Sequence, residues 1–108
     1  MRTVLAVLTL SSQIFMKISK RMQGYLDELY VAFSRIKTKK DAALFLEDFL
    51  TPRELSDVAL RWQLVKRLAK NMPHRSISEE LGVSIAKVTR GSKALQNTAG
   101  AFSKLLRK

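Results

Sequence analysis

The sequence predicts an all-α protein of about six helices, and three observations support this prediction. Apolar residues recur at steps of three and four between residues 16 and 36 and again between 51 and 70, which is the period of amphipathic helices. No stretch of useful length alternates in the manner of a strand, and no segment repeats. With 46% hydrophobic and 27% charged residues, the 108-residue chain has the composition and length of one globular domain.

The first two helices are predicted from this period and from a basic stretch that separates them. Residues 16–36 carry apolar side chains at helical spacing, and the lysine-rich segment 37–40 ends the pattern. A shorter helix is expected at 41–49, with Thr38 or Asp41 as its N-cap.

A third helix begins with the clearest start signal in the chain. Thr51 is suited to the N-cap, Pro52 to the first helical position, and Glu54 completes a capping box. The helix is expected to run to about residue 70 and to end before Pro73. Its apolar face, in which Trp62 is expected to belong to the core, consists of Leu55, Val58, Ala59, Trp62, Val65, Leu68 and Ala69.

The segment from 74 to 96 has the spacing of a helix-turn-helix. A short helix at 74–81 is followed by a turn at Gly82, because glycine adopts the left-handed conformation at low cost. Ser84 is the expected N-cap of a second helix that runs to residue 96. A last short helix is expected at 101–106.

Apolar residues surround this turn as a rigid DNA-reading unit requires. Ile77 and Leu81 share the inner face of the first helix, and Val83 is expected to fill the angle between the two helices. Ile85 and Val88 are expected to hold the second helix from beneath, so that its polar and basic side chains are free to face a DNA major groove. A plain helical hairpin is the alternative interpretation.

Positive charge is concentrated in the same part of the chain. The formal net charge is +11, of which residues 61–108 contribute +9, because they contain 11 basic residues and only Glu79 and Glu80 as acidic ones. Such a surplus favours a polyanionic partner, nucleic acid first and an anionic membrane surface second. A solvated basic face without a partner is the simplest alternative.

Composition also excludes several classes of protein. The chain has no cysteine and one histidine, which argues against disulfide scaffolds, zinc fingers, thiol nucleophiles and histidine-based metal sites. No nucleophile–base pair, carboxylate dyad or phosphate-binding loop is visible. We therefore expect neither an enzyme nor a bound metal or cofactor.

Residues 1–15 form an apolar N-terminal extension that precedes the predicted helical domain at 16–108. The extension has one charge, Arg2, and its apolar run is too short to span a bilayer. A disordered or partner-packed arm and an upstream start codon, with translation beginning at Met16 or Met22, are the favoured interpretations. A secretory signal is the disfavoured one.

The helix-turn-helix segment resembles a known family. The run GVSIAKVTRGSKAL at 82–95 is similar to the recognition region of the Trp repressor family, where I-A-x-[IV]-T-R-G-S is a characteristic string. The segment 50–54 resembles the family's entry into its central helix, and Arg61 follows Thr51 by ten residues, as in the family. The resemblance covers about residues 22–106.

The resemblance implies a cytoplasmic transcriptional repressor without enzymatic activity. It implies six helices per chain in an intertwined homodimer, with a helix-turn-helix at each end that reads a palindromic double-stranded operator. L-tryptophan is implied as a corepressor ligand that lies between the central helix and the recognition helix.

The resemblance also implies which residues bind the effector and the operator. Arg61 and Arg90 would flank the indole, Arg90 would pair with the ligand carboxylate, Thr51 would help enclose the amino end, and Gly91 would leave room for the ring. Ile85, Ala86 and Thr89 would face bases, Arg75 a guanine edge or a phosphate, and Lys87 and Lys93 phosphates. The full set expected to contact DNA is Arg75, Ser78, Ser84, Ile85, Ala86, Lys87, Thr89 and Lys93.

Two departures from the family pattern leave other functions open. Lys87 stands where the family pattern has a threonine, and Ala94 replaces a serine. A DNA-binding dimer that needs no effector, or that senses another small molecule, is therefore the first alternative. A basic protein held at a membrane surface by residues 3–15 is an alternative of a different class, although we expect no membrane association.

Overall fold

A computed structural model describes residues 18–106 of the chain, and these residues form six helices without a strand. The all-α prediction is therefore confirmed. The predictions for residues 1–15 and for the start codon at Met16 lie outside the described residues. The helices are α1 (Lys20–Ser34), α2 (Lys39–Phe49), α3 (Pro52–Ala69), α4 (His74–Leu81), α5 (Ile85–Gln96) and α6 (Ala101–Leu106).

Local capping explains where the first two helices begin. The Ser19 hydroxyl accepts a 3.1 Å hydrogen bond from the Met22 amide, so α1 begins at Lys20 rather than in the region of residue 16. Thr38 is the cap of α2, because its hydroxyl accepts a 3.0 Å hydrogen bond from the Asp41 amide. The expected end of α1 at Ile36 is wrong by two residues, since Arg35 already caps the helix.

The chain divides into two compact units between Leu44 and Phe45. In the first unit, α1 buries none of its residues, and large apolar side chains such as Tyr25, Tyr30 and Val31 are exposed. The whole of α2 likewise has no buried residue. Several large apolar side chains of these two helices are therefore exposed to solvent in the single chain.

The second unit, residues 45–106, has a core in which α4, α5 and α6 pack against α3. Val65, Ile77 and Val88, one from each of α3, α4 and α5, are completely buried. Their burial fixes the helix-turn-helix on the C-terminal half of α3. The buried hydrophobic residues are Leu64, Val65, Leu68, Ile77, Val88 and Leu95.

Two expectations about this core are wrong. Trp62 is 36% exposed rather than buried, because the core lies under the following turns of α3, and its ring meets the Phe102 ring at a centroid distance of 6.1 Å. Ile85 is 50% exposed, because it is the first residue of α5 and the buried face of this helix is formed by Val88, Gly91 and Leu95. No helix within residues 18–106 is long and apolar enough to cross a membrane.

Candidate nucleic-acid interface

The turn between α4 and α5 has the geometry that the sequence predicts. Gly82 adopts a left-handed conformation, with φ 66° and ψ 34°, and its amide donates to the Ser78 carbonyl. The Val83 amide donates to the same carbonyl at 3.2 Å. The Ser78 hydroxyl donates a 2.6 Å hydrogen bond back to the Val83 carbonyl. These bonds hold the two helices at a fixed angle.

The second helix of the motif, α5, is anchored along one face and open along the other. Its hydroxyl cap is Ser84, which accepts a 3.2 Å hydrogen bond from the Lys87 amide. Val88, Gly91 and Leu95 are buried at intervals of three and four residues. The exposed positions include six of the predicted contact residues, namely Ile85, Ala86, Lys87, Thr89, Arg90 and Lys93.

This arrangement suits a DNA groove in shape and charge. An anchored helix with small, apolar and basic side chains on its free face fits a major groove, where methyl contacts and cationic contacts are both used. Arg75 is exposed on α4, the helix that precedes the turn. The residues predicted to read bases and phosphates thus belong to one helix-turn-helix.

Two of the predicted DNA contacts have structural roles in the motif itself. Ser78 is half-buried and its hydroxyl donates to the backbone of the turn, while the Ser84 hydroxyl caps α5. Both hydroxyls hold the recognition helix in position. Contact of these two side chains with DNA stays a prediction.

The predicted effector residues lie on helices that pack together, but they are not all close. Arg61 is exposed on α3 and Arg90 is exposed on α5, and these two helices pack against each other. Thr51 caps the start of α3, and ten residues of helix place it about 15 Å from Arg61 along the axis. One chain therefore does not bring Thr51 and Arg61 around a single small ligand.

Thr51 and Glu54 form the predicted capping box. The Thr51 hydroxyl accepts a 3.2 Å hydrogen bond from the Glu54 amide, and Glu54 Oε1 accepts a 2.9 Å bond from the Thr51 amide. The backbone amide and then the hydroxyl of Thr51 lower the pKa of the Glu54 carboxyl from its ordinary value, because hydrogen bonds to a carboxyl favour its ionised form. This box fixes the first turn of α3.

Gly91 has a packing role that the sequence did not indicate. A β-carbon at this position would collide with the Leu64 side chain and would lie 3.4 Å from Leu68 and 3.6 Å from Val65. Glycine therefore permits the close approach of α5 to α3. Leu64 was missed as a core residue, because it lies beside the predicted apolar face of α3 and the crossing of α5 covers it.

Comparison with known proteins then places the chain in a family. The family model described as Trp repressor protein matches residues 24–108. The chain belongs to the Trp repressor family. Members of the Trp repressor family are DNA-binding transcription regulators and not enzymes, so this chain is a DNA-binding repressor. Among residues 18–106, no group of three or more acidic, histidine or cysteine side chains is placed to hold a metal ion.

Individual relatives of this Trp repressor family member come from bacteria. A protein named Trp operon repressor homolog from Chlamydia trachomatis serovar L2 is 38% identical over 82 residues, covering 71% of this chain and 87% of the relative. Proteins of the same name from Haemophilus influenzae and Actinobacillus succinogenes are 38% and 39% identical over 85 residues, covering 75% of this chain and 80% of each relative. No solved structure matches the chain at a significant level.

Proposed function

We propose that the chain acts as a homodimer that represses transcription by binding a palindromic operator, with L-tryptophan as its corepressor. The observation that supports operator reading is the anchored α5, which buries Val88 and exposes Ile85, Ala86 and Thr89. A two-fold dimer presents two such helices to half-sites about one helical turn of DNA apart. Action on a bacterial chromosome, as the relatives' sources suggest, makes the cytoplasm its proposed location.

The dimer proposal is supported by apolar surface that a single chain leaves uncovered. Large apolar side chains are exposed on α1, on α2 and on α3 before Leu64, where the buried core begins. Large apolar side chains exposed in this number indicate an interface with another chain. The residues concerned are Met22, Tyr25, Tyr30, Val31, Leu44, Phe49, Val58, Leu60 and Trp62.

The effector proposal is supported by two exposed guanidinium groups on adjacent helices. Arg61 on α3 and Arg90 on α5 provide the planar cations that stack on an indole and pair with a carboxylate. Thr51 lies too far along α3 to join them in the same chain. It contacts the same ligand only where a second subunit brings its own Thr51 to this site.

Four measurements test the three parts of the proposal, namely the dimer, operator reading and the effector, separately. Sedimentation equilibrium should give a dimer mass. A duplex selected from a random pool by the purified protein should be palindromic, and fluorescence anisotropy should show tighter binding when L-tryptophan is added. Calorimetry should detect L-tryptophan binding in the wild type and its loss in Arg90→Ala, with L-leucine as the ligand that lacks an indole.

The outcomes are distinct for each part. A monomer at micromolar concentration contradicts the dimer, and selection of no sequence contradicts operator reading. No heat from a folded dimer at millimolar L-tryptophan contradicts the effector.

An effector-free repressor is the second candidate, because Lys87 adds an exposed cation to the first turn of α5. A cation at that place reaches phosphate without a ligand. This candidate is supported if the operator affinity is equal with and without L-tryptophan and the selected sequence preference is the same in both conditions. Lys87→Thr should then reduce operator affinity in the absence of any ligand.

A further inference from the structure

Arg67 joins the supporting helix α3 to the first helix of the reading motif, α4. Its Nε donates a 2.9 Å hydrogen bond to Glu80 Oε1, and its Nη2 lies 2.8 Å from the same oxygen. On the other side, its Nη1 donates to the carbonyl and the side-chain Oε1 of Gln63, at 3.1 and 2.8 Å. The guanidinium group is thus held from two sides and aimed at α4.

The pair adds a polar contact to the apolar packing that holds α4 on α3. The helix has only eight residues, its N-cap Pro73 provides no side-chain hydrogen bond, and it buries only Ile77. Within residues 18–106, the Arg67–Glu80 contact is the one ion pair. The Arg67 side chain is 24% exposed, so it is less accessible to solvent and salt than a fully exposed cation.

We propose that Arg67 and Glu80 are positioning residues for DNA binding, which set the orientation of α4 and, through the Gly82 turn, of α5. This inference deepens the proposed operator binding and rests on it. Neither side chain needs to touch DNA, because the pair acts through the placement of the two helices. Gln63 keeps the guanidinium group in the orientation that meets Glu80.

Because Glu80 is negatively charged, its positioning role can be distinguished from a direct effect of its charge on DNA binding. Glu79 and Glu80 are the two acidic residues of the strongly basic part of the chain. If Glu80 mattered to DNA only through its charge, its removal would strengthen binding to a polyanion. If Glu80 holds α4 in place, its removal weakens binding although the protein becomes more positive. The direction of the change therefore decides between the two.

The test compares Glu80→Gln with Glu79→Gln on the selected operator duplex. Glu79 is the matched control, since it is the adjacent exposed carboxylate on α4 and has no ion-pair partner in the described part of the chain. We expect Glu80→Gln to bind about threefold more weakly, the effect of losing a partly exposed ion pair. Glu79→Gln should bind about twofold more tightly, from loss of one repulsive charge. Circular dichroism should show the same helix content in both.

A second pair of variants tests whether the effect passes through Arg67. In an Arg67→Gln background, Glu80→Gln should no longer weaken binding and should instead strengthen it as Glu79→Gln does. Hydrogen exchange without DNA should show faster exchange of α4 amides in Glu80→Gln than in Glu79→Gln.

If the wild type binds the operator and Glu80→Gln binds it equally well or more tightly, this inference is overturned and the proposed function still stands. A wild type that binds no duplex overturns the proposed function and the role of the pair together.

Discussion

Gly91 of α5 lies so close to Leu64 of α3 that a β-carbon at this position would force the Leu64 side chain to shift. This contact sets how near the recognition helix approaches its support. The resemblance implied a different reason for glycine here, namely room for the ring of a ligand. The structure provides a packing reason that holds with or without a ligand.

We expect Gly91→Ala to destabilise the protein by about 1 kcal/mol. Overpacking typically costs about 1–3 kcal/mol, and the better helix propensity of alanine offsets about 1 kcal/mol of that cost. Urea denaturation measures the difference. In a Leu64→Ala background, the same substitution should stabilise, because the added methyl group enters space that the leucine has vacated. An equal loss in both backgrounds would mean that Leu64 is not the obstacle.

Ser103 predicts a second stability effect at the other end of α5. Its buried hydroxyl lies 2.6 Å from the Leu95 carbonyl and 2.9 Å from the Asn97 carbonyl, and its one proton is shared between these two acceptors. The Leu95 carbonyl belongs to the last turn of α5, where helical partners are missing. Ser103→Ala should therefore cost about 1–3 kcal/mol, the penalty for an unsatisfied buried acceptor.

Thermal unfolding of the Ser103 variant checks this value. Ser76→Ala is the matched control, because Ser76 is exposed on α4 and has no side-chain hydrogen bond in the described structure. We expect the control to change stability by less than about 0.5 kcal/mol. Similar losses in the two variants would show that the Ser103 hydroxyl has no special role.

Residues whose role is local could be predicted from the sequence. The Thr51–Glu54 box, the left-handed Gly82 and the Ser84 cap each depend on neighbours within three or four residues, and all three are confirmed. The α4 and α6 boundaries follow from the same kind of signal.

Residues whose role depends on a distant helix could not be predicted in this way. Trp62 and Leu64 lie close together on α3, yet the crossing of α5 buries only Leu64. Ser103 and Arg67 bind groups 8 and 13 residues away along the chain, and no short motif signals such pairs. The candidate DNA-contact face was predictable because its exposure follows from the period of one helix, whereas the polar contacts that hold it were not.

Glu54 predicts a specific dependence of stability on pH. Its pKa is lowered in the folded protein by hydrogen bonds from Thr51, so its ionised form stabilises the fold at pH values above the ordinary value of 4.5. This stabilisation is lost as the pH falls through the lowered pKa. Glu54→Gln keeps a hydrogen-bond acceptor at the cap but cannot titrate.

Urea midpoints at pH 7 and pH 3 measure this contribution. We expect the wild type to be the more stable protein at pH 7 and the difference from Glu54→Gln to be smaller at pH 3, which lies below the ordinary value of 4.5 at which the unfolded chain binds its proton. Differences of equal size at both pH values would contradict the linkage. Thr51→Ala removes the hydroxyl that contributes to lowering the Glu54 pKa, so it should reduce the pH dependence of stability.

Lys93 provides the test of how α5 meets DNA. It is exposed near the C-terminal end of the helix, and the resemblance assigns it to phosphate rather than to bases. Lys93→Ala should therefore weaken binding by a similar factor on operator and unrelated duplexes, and should reduce the salt slope of log K by about 0.9.

Lys40→Ala in α2 is the control for charge alone, since it removes one cation outside the helix-turn-helix. Anisotropy titrations between about 50 and 200 mM salt distinguish the two variants. A change in sequence preference in Lys93→Ala would instead place this side chain against a base edge, because phosphate contacts are the same on every duplex.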